Sequence, residues 1–400
     1  MEKLINLAKL RIINKSGGPE PKVFVFDISS SSALEKFNTF LSRTEIFDVS
    51  DTFSDQLEEL FQVRNPSFKK GTAAFVKGLA EFTEWEFSGQ ENLFKAGRWV
   101  YFPWRGALAH LLPPDLFFEL RTNRNRNVLR EEEQKKYADF TVGVAGLSVG
   151  NSIALTLAQT GGSRAIKLAD FDELSLSNLN RIRASVVDLG INKAYLAARQ
   201  IYEIDPYSRI VSDPQAVGGR NLEDFFLKEP KPRLVVDAID DLPVKVGLRL
   251  KARKLKIPVV MATDCGQGVL LDVERYDLDS SIKPFFGRVD RLTLEKMLQG
   301  ELVGKERLKA VAKIVDLKNV SAAKTRSLIE IGKRLYTWPQ LGSSITLCGV
   351  AVSFAVQKIA LGEAINGSSL LSLEETFTPD REKIISEREA ASKNFFKSIS

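Results

Sequence analysis

Short apolar runs alternate with amphipathic stretches from residue 141 to the early 270s. The runs are rich in β-branched and aliphatic residues, which predicts buried strands, and the stretches between them have the helical period. Strands that are apolar on both faces and connected by helices are typical of a parallel sheet covered on both sides. The pattern therefore predicts a doubly wound, mostly parallel α/β domain. The predicted strands are TVGVA, AIKLAD, RIVS, RLVVDAID, IPVVMAT and GVLLDVERYD.

The carboxyl ends of these parallel strands are expected to lie at one edge of the sheet. Right-handed crossovers impose that arrangement, and ligands of such folds bind at that edge. Polar residues that directly follow a predicted strand are therefore the candidates for a binding site.

The chain before residue 121 has a different pattern. It combines a strand-like KVFVFD, helical stretches near Ser32 and Asp51, and the aromatic segment GRWVYFPWR. We interpret residues 1–120 as a smaller α+β accessory domain and a possible substrate clamp, whose aromatic residues either form its core or face a ligand. Residues 121–375 make up the α/β domain, and residues 376–400 are interpreted as a charged C-terminal tail that is either a solvated helix or disordered.

Composition narrows the class of protein. With 400 residues, 44% of them apolar, the chain suits a globular protein of more than one domain. Its net charge of +6 permits contact with RNA or phosphorylated ligands without requiring it. One His and two Cys exclude a zinc site built from Cys and His pairs.

The segments that could direct the chain to a membrane or out of the cell lack the necessary length or pattern. The N-terminal MEKLINLAKLRIINK has no continuous apolar region of the secretory kind. The longest apolar run, residues 345–356, is shorter than a membrane span. We expect a cytoplasmic protein that does not bind membranes.

A glycine-bearing turn follows the first predicted strand of the α/β domain. In VGVAGLSVGN, Gly146 and Gly150 lie between strand and helix, where backbone N–H groups and the helix N-terminus would face a phosphate. Counted from Gly146, the turn departs from G-x-G-x-x-G because Ser148 and Asn151 replace glycines. The turn alone does not establish nucleotide binding.

Acidic, amide and basic side chains follow the second predicted strand. In ADFDELSLSNLNR, Asp170 ends the strand near the position of a ribose-binding acid, and Asp172 adds a second carboxylate. Asn178, Arg181 and, in LGINKA, Lys193 come next. A triphosphate needs cations at several places along its length, whereas a nicotinamide cofactor does not. The pattern therefore favours ATP over NAD.

A further acid follows the strand LVVDAID. Asp240 is predicted at the same edge of the sheet, where one carboxylate could hold Mg²⁺ while phosphates supply other ligands.

Taken together, these motifs resemble the ThiF, MoeB and HesA group of ATP-dependent adenylyltransferases, whose adenylation fold is shared with ubiquitin-activating enzymes. The resemblance covers about residues 121–370 and is carried by GLSVGNS, LADFDELSLSNLNR, GINKA, VVDAIDD and WPQLGSSITLCGVAVSFAVQKIALG. The implied catalytic residues are Arg181, Lys193 and Asp240, with Asp240 as the Mg²⁺ ligand, and the implied ATP-binding residues are Gly146, Ser148, Gly150, Asp170, Asp172, Asn178, Arg121 and Arg124.

The resemblance also concerns assembly. RTNRN matches an Arg-x-x-Arg pattern at Arg121 and Arg124, and in the family one such Arg reaches the γ-phosphate of the neighbouring subunit. A homodimer is therefore implied. Two positions differ from the usual pattern, Ile182 in place of Gln and Asp241 in place of Asn.

The implied reaction is ATP- and Mg²⁺-dependent adenylylation of a carboxylate. The expected substrate is the C-terminus of a small ubiquitin-like, sulfur-carrier or other peptide partner. A tRNA-modifying cyclase within the same family, a catalytically degenerate nucleotide-binding module and an NAD-dependent oxidoreductase remain alternatives. Cys265, which follows a predicted strand, is left open as a thiol for acyl or sulfur transfer, whereas Cys348 is expected in the core.

Overall fold

Two units can be distinguished in the structure, a computed structural model that describes residues 20–87 and 92–399. The N-terminal unit comprises Pro21–Gln134 with Ile201–Ser208, and the C-terminal unit is built mainly from Lys135–Gln200 and Arg209–Ser400. The amphipathic segment at residues 1–15 lies outside the described residues. The predicted role of the first domain as a substrate clamp stays a prediction.

The described part of the N-terminal unit contains a four-stranded sheet. Its strands are β1 (Phe24–Phe26), β2 (Asp48–Asp51), β3 (Arg98–Phe102) and β4 (Ala107–Leu111). They lie in the order β1-β3-β4-β2, with β2 parallel to β4 and the other neighbours antiparallel. The helices of this unit are α1 (Ser31–Arg43), α2 (Phe53–Arg64), α3 (Ala73–Glu86) and α4 (Pro114–Thr122).

The aromatic segment forms β3 and the turn that leads to β4, and its first Trp belongs to the core. Trp99 stacks on His110 with 4.3 Å between ring centroids, and His110 stacks on Phe53 at the same distance. Trp99 is only 3% exposed, so it is not available to a ligand at the surface. Trp104 instead donates a hydrogen bond from Nε1 to Glu203 Oε1 at 2.6 Å.

The C-terminal unit is organised around a seven-stranded sheet. Its strands are β5 (Val142–Ala145), β6 (Ala165–Ala169), β7 (Arg209–Asp213), β8 (Leu234–Asp237), β9 (Val259–Asp264), β10 (Gly268–Glu274) and β11 (Ser368–Ser372). The order is β11-β10-β9-β8-β5-β6-β7; β5 to β9 are parallel, and β10 and β11 are antiparallel to their neighbours. The predicted doubly wound, mostly parallel α/β fold is confirmed.

Helices cover this sheet and extend beyond its last strands. They are α5 (Glu131–Ala138), α6 (Val149–Gln159), α7 (Lys193–Ile204), α8 (Gly219–Leu227), α9 (Leu242–Leu255), α10 (Arg291–Gln299), α11 (Gly304–Ile314), α12 (Ala322–Ser327), α13 (Gly342–Ala360), α14 (Leu373–Phe377) and α15 (Arg381–Ser398). The start of α5, up to Gln134, and the end of α7, from Ile201, belong to the N-terminal unit.

The long apolar helix α13 packs on α6, β9 and β10. A Cβ atom at Gly349 would lie 2.6 Å from Ser152 Oγ, so glycine lets α13 and α6 approach closely. By length and hydropathy, α13 is also the one helix among the described residues that could cross a membrane, and half of that stretch is buried in the unit. Its packing is that of a core helix.

Residues 376–400, predicted as a charged tail, include the helix α15, which packs within the C-terminal unit. Phe395 is buried beside Cys265 and Leu317 in one apolar cluster. Arg388 also donates a hydrogen bond from Nη1 to Glu375 Oε1 at 2.6 Å, which connects α15 to α14. The described part of this segment is therefore neither solvated on all sides nor irregular.

Candidate functional site

The turn between β5 and α6 requires glycine at its first position. Gly146 has a φ of +87°, and a Cβ atom there would lie 2.3 Å from the carbonyl oxygen of Ala238. At Gly150, a Cβ atom would lie 2.8 Å from Val144 Cγ1. The lack of a Cβ atom at Gly146 thus allows the turn to contact the loop after β8, and at Gly150 it allows α6 to pack against β5.

The acid at the end of β6 binds this turn. Asp170 is buried, and its Oδ2 accepts a hydrogen bond from Leu147 N at 2.5 Å while its Oδ1 accepts one from Asp172 N at 2.8 Å. Burial raises the pKa of the Asp170 carboxyl, and the charge of Lys193 opposes that shift. The carboxylate predicted to bind a ribose therefore lies at the glycine turn.

Lys193 and Asp172 form an ion pair beside Asp170. Lys193 Nζ lies 2.7 Å from Asp172 Oδ2, with the lysine buried and the carboxylate half exposed. Asn192 Nδ2 donates to the Asp170 carbonyl at 2.8 Å and so connects the start of α7 with the end of β6. This arrangement places an ammonium next to the predicted ribose acid.

Asn178 shapes the segment that leads to Arg181. Its Oδ1 accepts a hydrogen bond from Ser175 N at 3.0 Å, and it ends the short 3₁₀ helix Leu176–Asn178. Because the amide oxygen is used in this capping interaction, the amide nitrogen is the group that could face a phosphate.

Arg181 is held by the glycine turn and by its own segment. Its Nε donates to Ser148 Oγ at 3.1 Å, and its Nη1 donates to Asn180 Oδ1 at 2.9 Å and to the Ser177 carbonyl at 3.2 Å. The guanidinium thus lies beside the N-terminus of α6.

Asp240 shares this edge of the sheet. It is exposed, and no hydrogen bond or ion pair within 4 Å connects its carboxylate to another described residue. Burial lowers the pKa of the Arg181 guanidinium, and the charges of Asp240 and Asp264 oppose that shift. A single exposed carboxylate fits a Mg²⁺ ion that takes its other ligands from phosphates and water. Among the described residues no cluster of three or more His, Cys, Asp or Glu suits a metal.

The two departures from the family pattern have structural roles. Asp241 is the N-cap of α9, and its Oδ1 accepts a hydrogen bond from Val244 N at 3.0 Å. Ile182 is buried in an apolar cluster with Leu174 and Leu196. Ile182 is uncharged, and Asp241 uses Oδ1 to cap α9.

A buried ion network that the sequence motifs do not predict surrounds Asp237. Asp237 lies 2.9 Å from Lys245 Nζ and also pairs with Arg249, whose Nε lies 2.7 Å from Glu274 Oε2. Lys245 Nζ donates to the Ile239 carbonyl at 2.7 Å as well. Lys245 and Arg249 are four residues apart and so share one face of α9, but the sequence does not show that this face meets Asp237.

Neither cysteine has the properties of a nucleophile. Both are buried, and burial raises the pKa of the Cys265 thiol to about 12 and that of Cys348 still further. Cys265 donates a weak hydrogen bond to the Thr263 carbonyl at 3.5 Å.

The remaining candidates lie in the N-terminal unit. Arg121 Nη2 lies 3.2 Å from Asp205 Oδ2, whereas Arg124 is exposed and has no ion pair with a described residue. The structure therefore brings together, at one edge of the C-terminal sheet, the other predicted site residues: Gly146, Ser148, Gly150, Asp170, Asp172, Asn178, Arg181, Lys193 and Asp240.

Comparison with known proteins identifies relatives over this same region. Residues 122–366 match the ThiF family. The chain is 38% identical to the uncharacterised protein MT1398 of Mycobacterium tuberculosis over 274 residues, which are 68% of this chain and 37% of that protein. It is 33% identical to the Escherichia coli tRNA threonylcarbamoyladenosine dehydratase over 138 residues, 34% of this chain and 50% of the relative.

The chain thus matches half or less of the length of both relatives. Among solved structures, the complex of E. coli MccB with MccA-N7isoASN superposes with a TM-score of 0.44 at 13% identity, covering 80% of this chain and 84% of the other. Similarity at that level supports no statement about chemistry. The family match spans more than half of the sequence and includes every residue of the sheet-edge site, which confirms the predicted resemblance: the chain belongs to the ThiF family.

Proposed function

We propose that the C-terminal unit activates a carboxylate by transferring the adenylyl group of ATP to it. The observation that carries this proposal is the convergence of a glycine turn, a buried acid, two cations and an unengaged carboxylate at one sheet edge. The residues concerned are Gly146, Asp170, Arg181, Lys193 and Asp240. Membership of the ThiF family supports the same reaction class.

In this reaction a carboxylate oxygen attacks the α-phosphorus of ATP. The bond from that phosphorus to the bridging oxygen breaks, and pyrophosphate leaves with the electron pair. The chain contributes position and charge and no nucleophile of its own. Arg181 and Lys193 neutralise charge on the phosphates, and Asp170 orients the ribose.

Asp240 would hold Mg²⁺ at the phosphates. When bound, the ion would neutralise negative charge on the phosphates. Asp241 is not a second ligand in this proposal, because its Oδ1 accepts the capping hydrogen bond of α9.

The substrate is proposed to be the free C-terminus of a small protein or peptide. Exchange of labelled pyrophosphate into ATP tests this with a panel of peptides, each paired with a version that has an amidated C-terminus. Only the free acids should support exchange, because only they have the attacking oxygen. Formation of ADP and phosphate, or equal activity of the amides, would overturn the proposal.

Cofactor choice is tested by calorimetric titration with ATP and Mg²⁺ and, separately, with NAD. ATP is expected to bind and NAD to bind more weakly, because the site has two cations for a triphosphate. Tighter binding of NAD would favour the oxidoreductase, and ATP binding without exchange for any carboxylate would favour a degenerate binding module.

A carboxylate carried by tRNA is the second candidate substrate. It is favoured by the similarity to the E. coli tRNA threonylcarbamoyladenosine dehydratase and by the net charge of +6. Total tRNA in the same exchange assay distinguishes it from the peptides. The homodimer and the cytoplasmic location belong to the proposal as well.

A further inference from the structure

Two polar residues of the glycine turn, Ser148 and Asn151, make contacts that glycine cannot make. Ser148 Oγ accepts the hydrogen bond from Arg181 Nε at 3.1 Å. Asn151 Nδ2 donates to Gln200 Oε1 at 2.8 Å, and Gln200 Nε2 in turn donates to the carbonyl of Arg183. Both contacts therefore connect the start of α6 with the segment that carries Arg181.

The contacts fix the plane of the Arg181 guanidinium. Its Nε is used by Ser148 and its Nη1 by Asn180 and Ser177, so Nη2 is the nitrogen without a hydrogen bond to a described residue. An arginine fixed in this way loses less side-chain entropy when it binds a phosphate. Ser148 has helical φ and ψ of −74° and −67°, so its backbone does not require glycine.

We propose that Ser148 is a positioning residue, which presents Nη2 of Arg181 to the phosphates of the nucleotide and is supported by the Asn151–Gln200 contact. The inference rests on the proposed function. The altered glycine turn then orders the site, because Ser148 and Asn151, which stand in place of glycines, each make a hydrogen bond that connects the turn to the segment of Arg181.

Calorimetry on the full chain with Mg²⁺ tests the inference, with ATP and adenosine as the two probes. Ser148→Ala should raise the Kd for ATP by about tenfold, the scale of losing a hydrogen bond to a charged group. It should leave the Kd for adenosine unchanged, because adenosine has no phosphate. Ser148 makes no capping hydrogen bond in α6, so the substitution spares the helix.

Three comparisons make the test specific. Ser152→Ala is the matched control, because this buried hydroxyl of the same helix has no hydrogen-bond partner. Ser148→Thr should restore ATP affinity because it keeps the hydroxyl. In an Arg181→Ala background, Ser148→Ala should have no further effect, as expected of a residue that acts through Arg181.

The outcomes distinguish a failure of the positioning role of Ser148 from a failure of the proposed function. If the wild type binds ATP and Arg181→Ala weakens it but Ser148→Ala does not, the positioning role is wrong and the proposed function stands. Equal losses of affinity for ATP and adenosine in Ser148→Ala would also overturn the positioning role, since they indicate general damage to the fold. If the wild type does not bind ATP, both the inference and the proposed function are wrong.

Discussion

Asp240 and Asp241 are adjacent carboxylates, and of the two only Asp241 caps a helix. Asp240 has no hydrogen bond or ion pair within 4 Å to a described residue, so Asp240→Asn should preserve the fold. Removing its charge should reduce ATP–pyrophosphate exchange by at least about a hundredfold, because a metal contact that neutralises phosphate charge contributes several kcal/mol. Exchange at the wild-type rate, still dependent on Mg²⁺, would show that Asp240 is not the metal ligand.

Asp241 provides the control for that experiment. Asp241→Asn keeps a side-chain oxygen for the Val244 N–H and should change neither exchange nor stability. Asp241→Ala removes the cap and should lower the free energy of unfolding by about 1 kcal/mol without a matching loss of exchange. Loss of exchange in Asp241→Asn would mean that this acid contributes to the metal site.

The buried thiols permit a second test at single residues. Cys265→Ala and Cys348→Ala should keep ATP-dependent activation, because the proposed reaction needs no nucleophile from the chain. Native protein at pH 8 should react slowly with iodoacetamide, since burial raises the pKa of both thiols well above that pH. Rapid labelling of Cys265, together with loss of activity in its variant, would restore it as a catalytic candidate.

At this scale, residues that directly follow strands could be predicted, and residues paired within the core could not. Asp170 and Asp240 were found because strand ends of a parallel sheet meet at one edge. The ion pairs of Asp237 could not be predicted, because Asp237 lies inside an apolar run and its partners come later in the chain, on α9. Only the folded arrangement shows that Lys245 and Arg249 face it.

At the scale of elements, the ion network joins β8, α9 and β10. Lys245→Met leaves the buried Asp237 with one cation fewer and should lower the free energy of unfolding by about 3 kcal/mol or more. Lys251→Met is the matched control on the same helix, because Lys251 pairs with the exposed Glu223, and it should cost less than about 1 kcal/mol. Equal effects of both substitutions in urea denaturation would contradict the importance of the buried pair.

The same pair predicts a pH dependence. Burial raises the pKa of Asp237, but Lys245 and Arg249 outweigh it and hold this pKa below its ordinary value of 3.8. The stabilisation is therefore present above that value and is lost as the pH falls through the lowered pKa. The cost of Lys245→Met, measured by denaturation at several pH values, should be largest near neutrality and decrease in acid; a cost independent of pH would contradict it.

Two features of the C-terminal unit, the strand β11 and the burial of α15, could not be predicted from the sequence, for the same reason. The strand β11 has the sequence SSLLS, which has little strand character and forms because β10 offers it an unpaired edge. The helix α15 looks solvated by composition, yet Phe395 anchors it in the core. Both depend on partners distant in sequence, which local periodicity does not reveal.

At the scale of the whole molecule, the sequence predicted the α/β fold, and the family match confirmed the resemblance. Continuous apolar strands separated by amphipathic helices suffice for that prediction. Whether the N-terminal unit binds a substrate and whether two chains assemble depend on surface residues, which follow no such period. The resemblance implies that an arginine of the pattern at Arg121 and Arg124 reaches the ATP of a neighbouring subunit.

Of these two arginines, Arg124 is the better candidate to reach a neighbouring subunit. Arg121 is engaged by Asp205, whereas Arg124 is exposed without an ion pair to a described residue. Arg124→Ala should therefore weaken ATP-dependent exchange, and sedimentation should show a dimer. A monomeric protein, or full exchange in Arg124→Ala, would contradict the proposed assembly.

Mixed dimers decide whether Arg124 acts across the interface. Arg124→Ala and Asp240→Asn chains with different tags are coexpressed, and dimers that contain both are purified. If each site combines Asp240 of one chain with Arg124 of the other, a mixed dimer has one intact site and should show about half of the wild-type exchange, as two-fold symmetry requires. Each variant alone has no intact site and serves as the control. If Arg124 acts within its own chain, both sites of the mixed dimer carry one defect and exchange stays at the level of the single variants, so the absence of recovery would exclude the action of Arg124 across the interface.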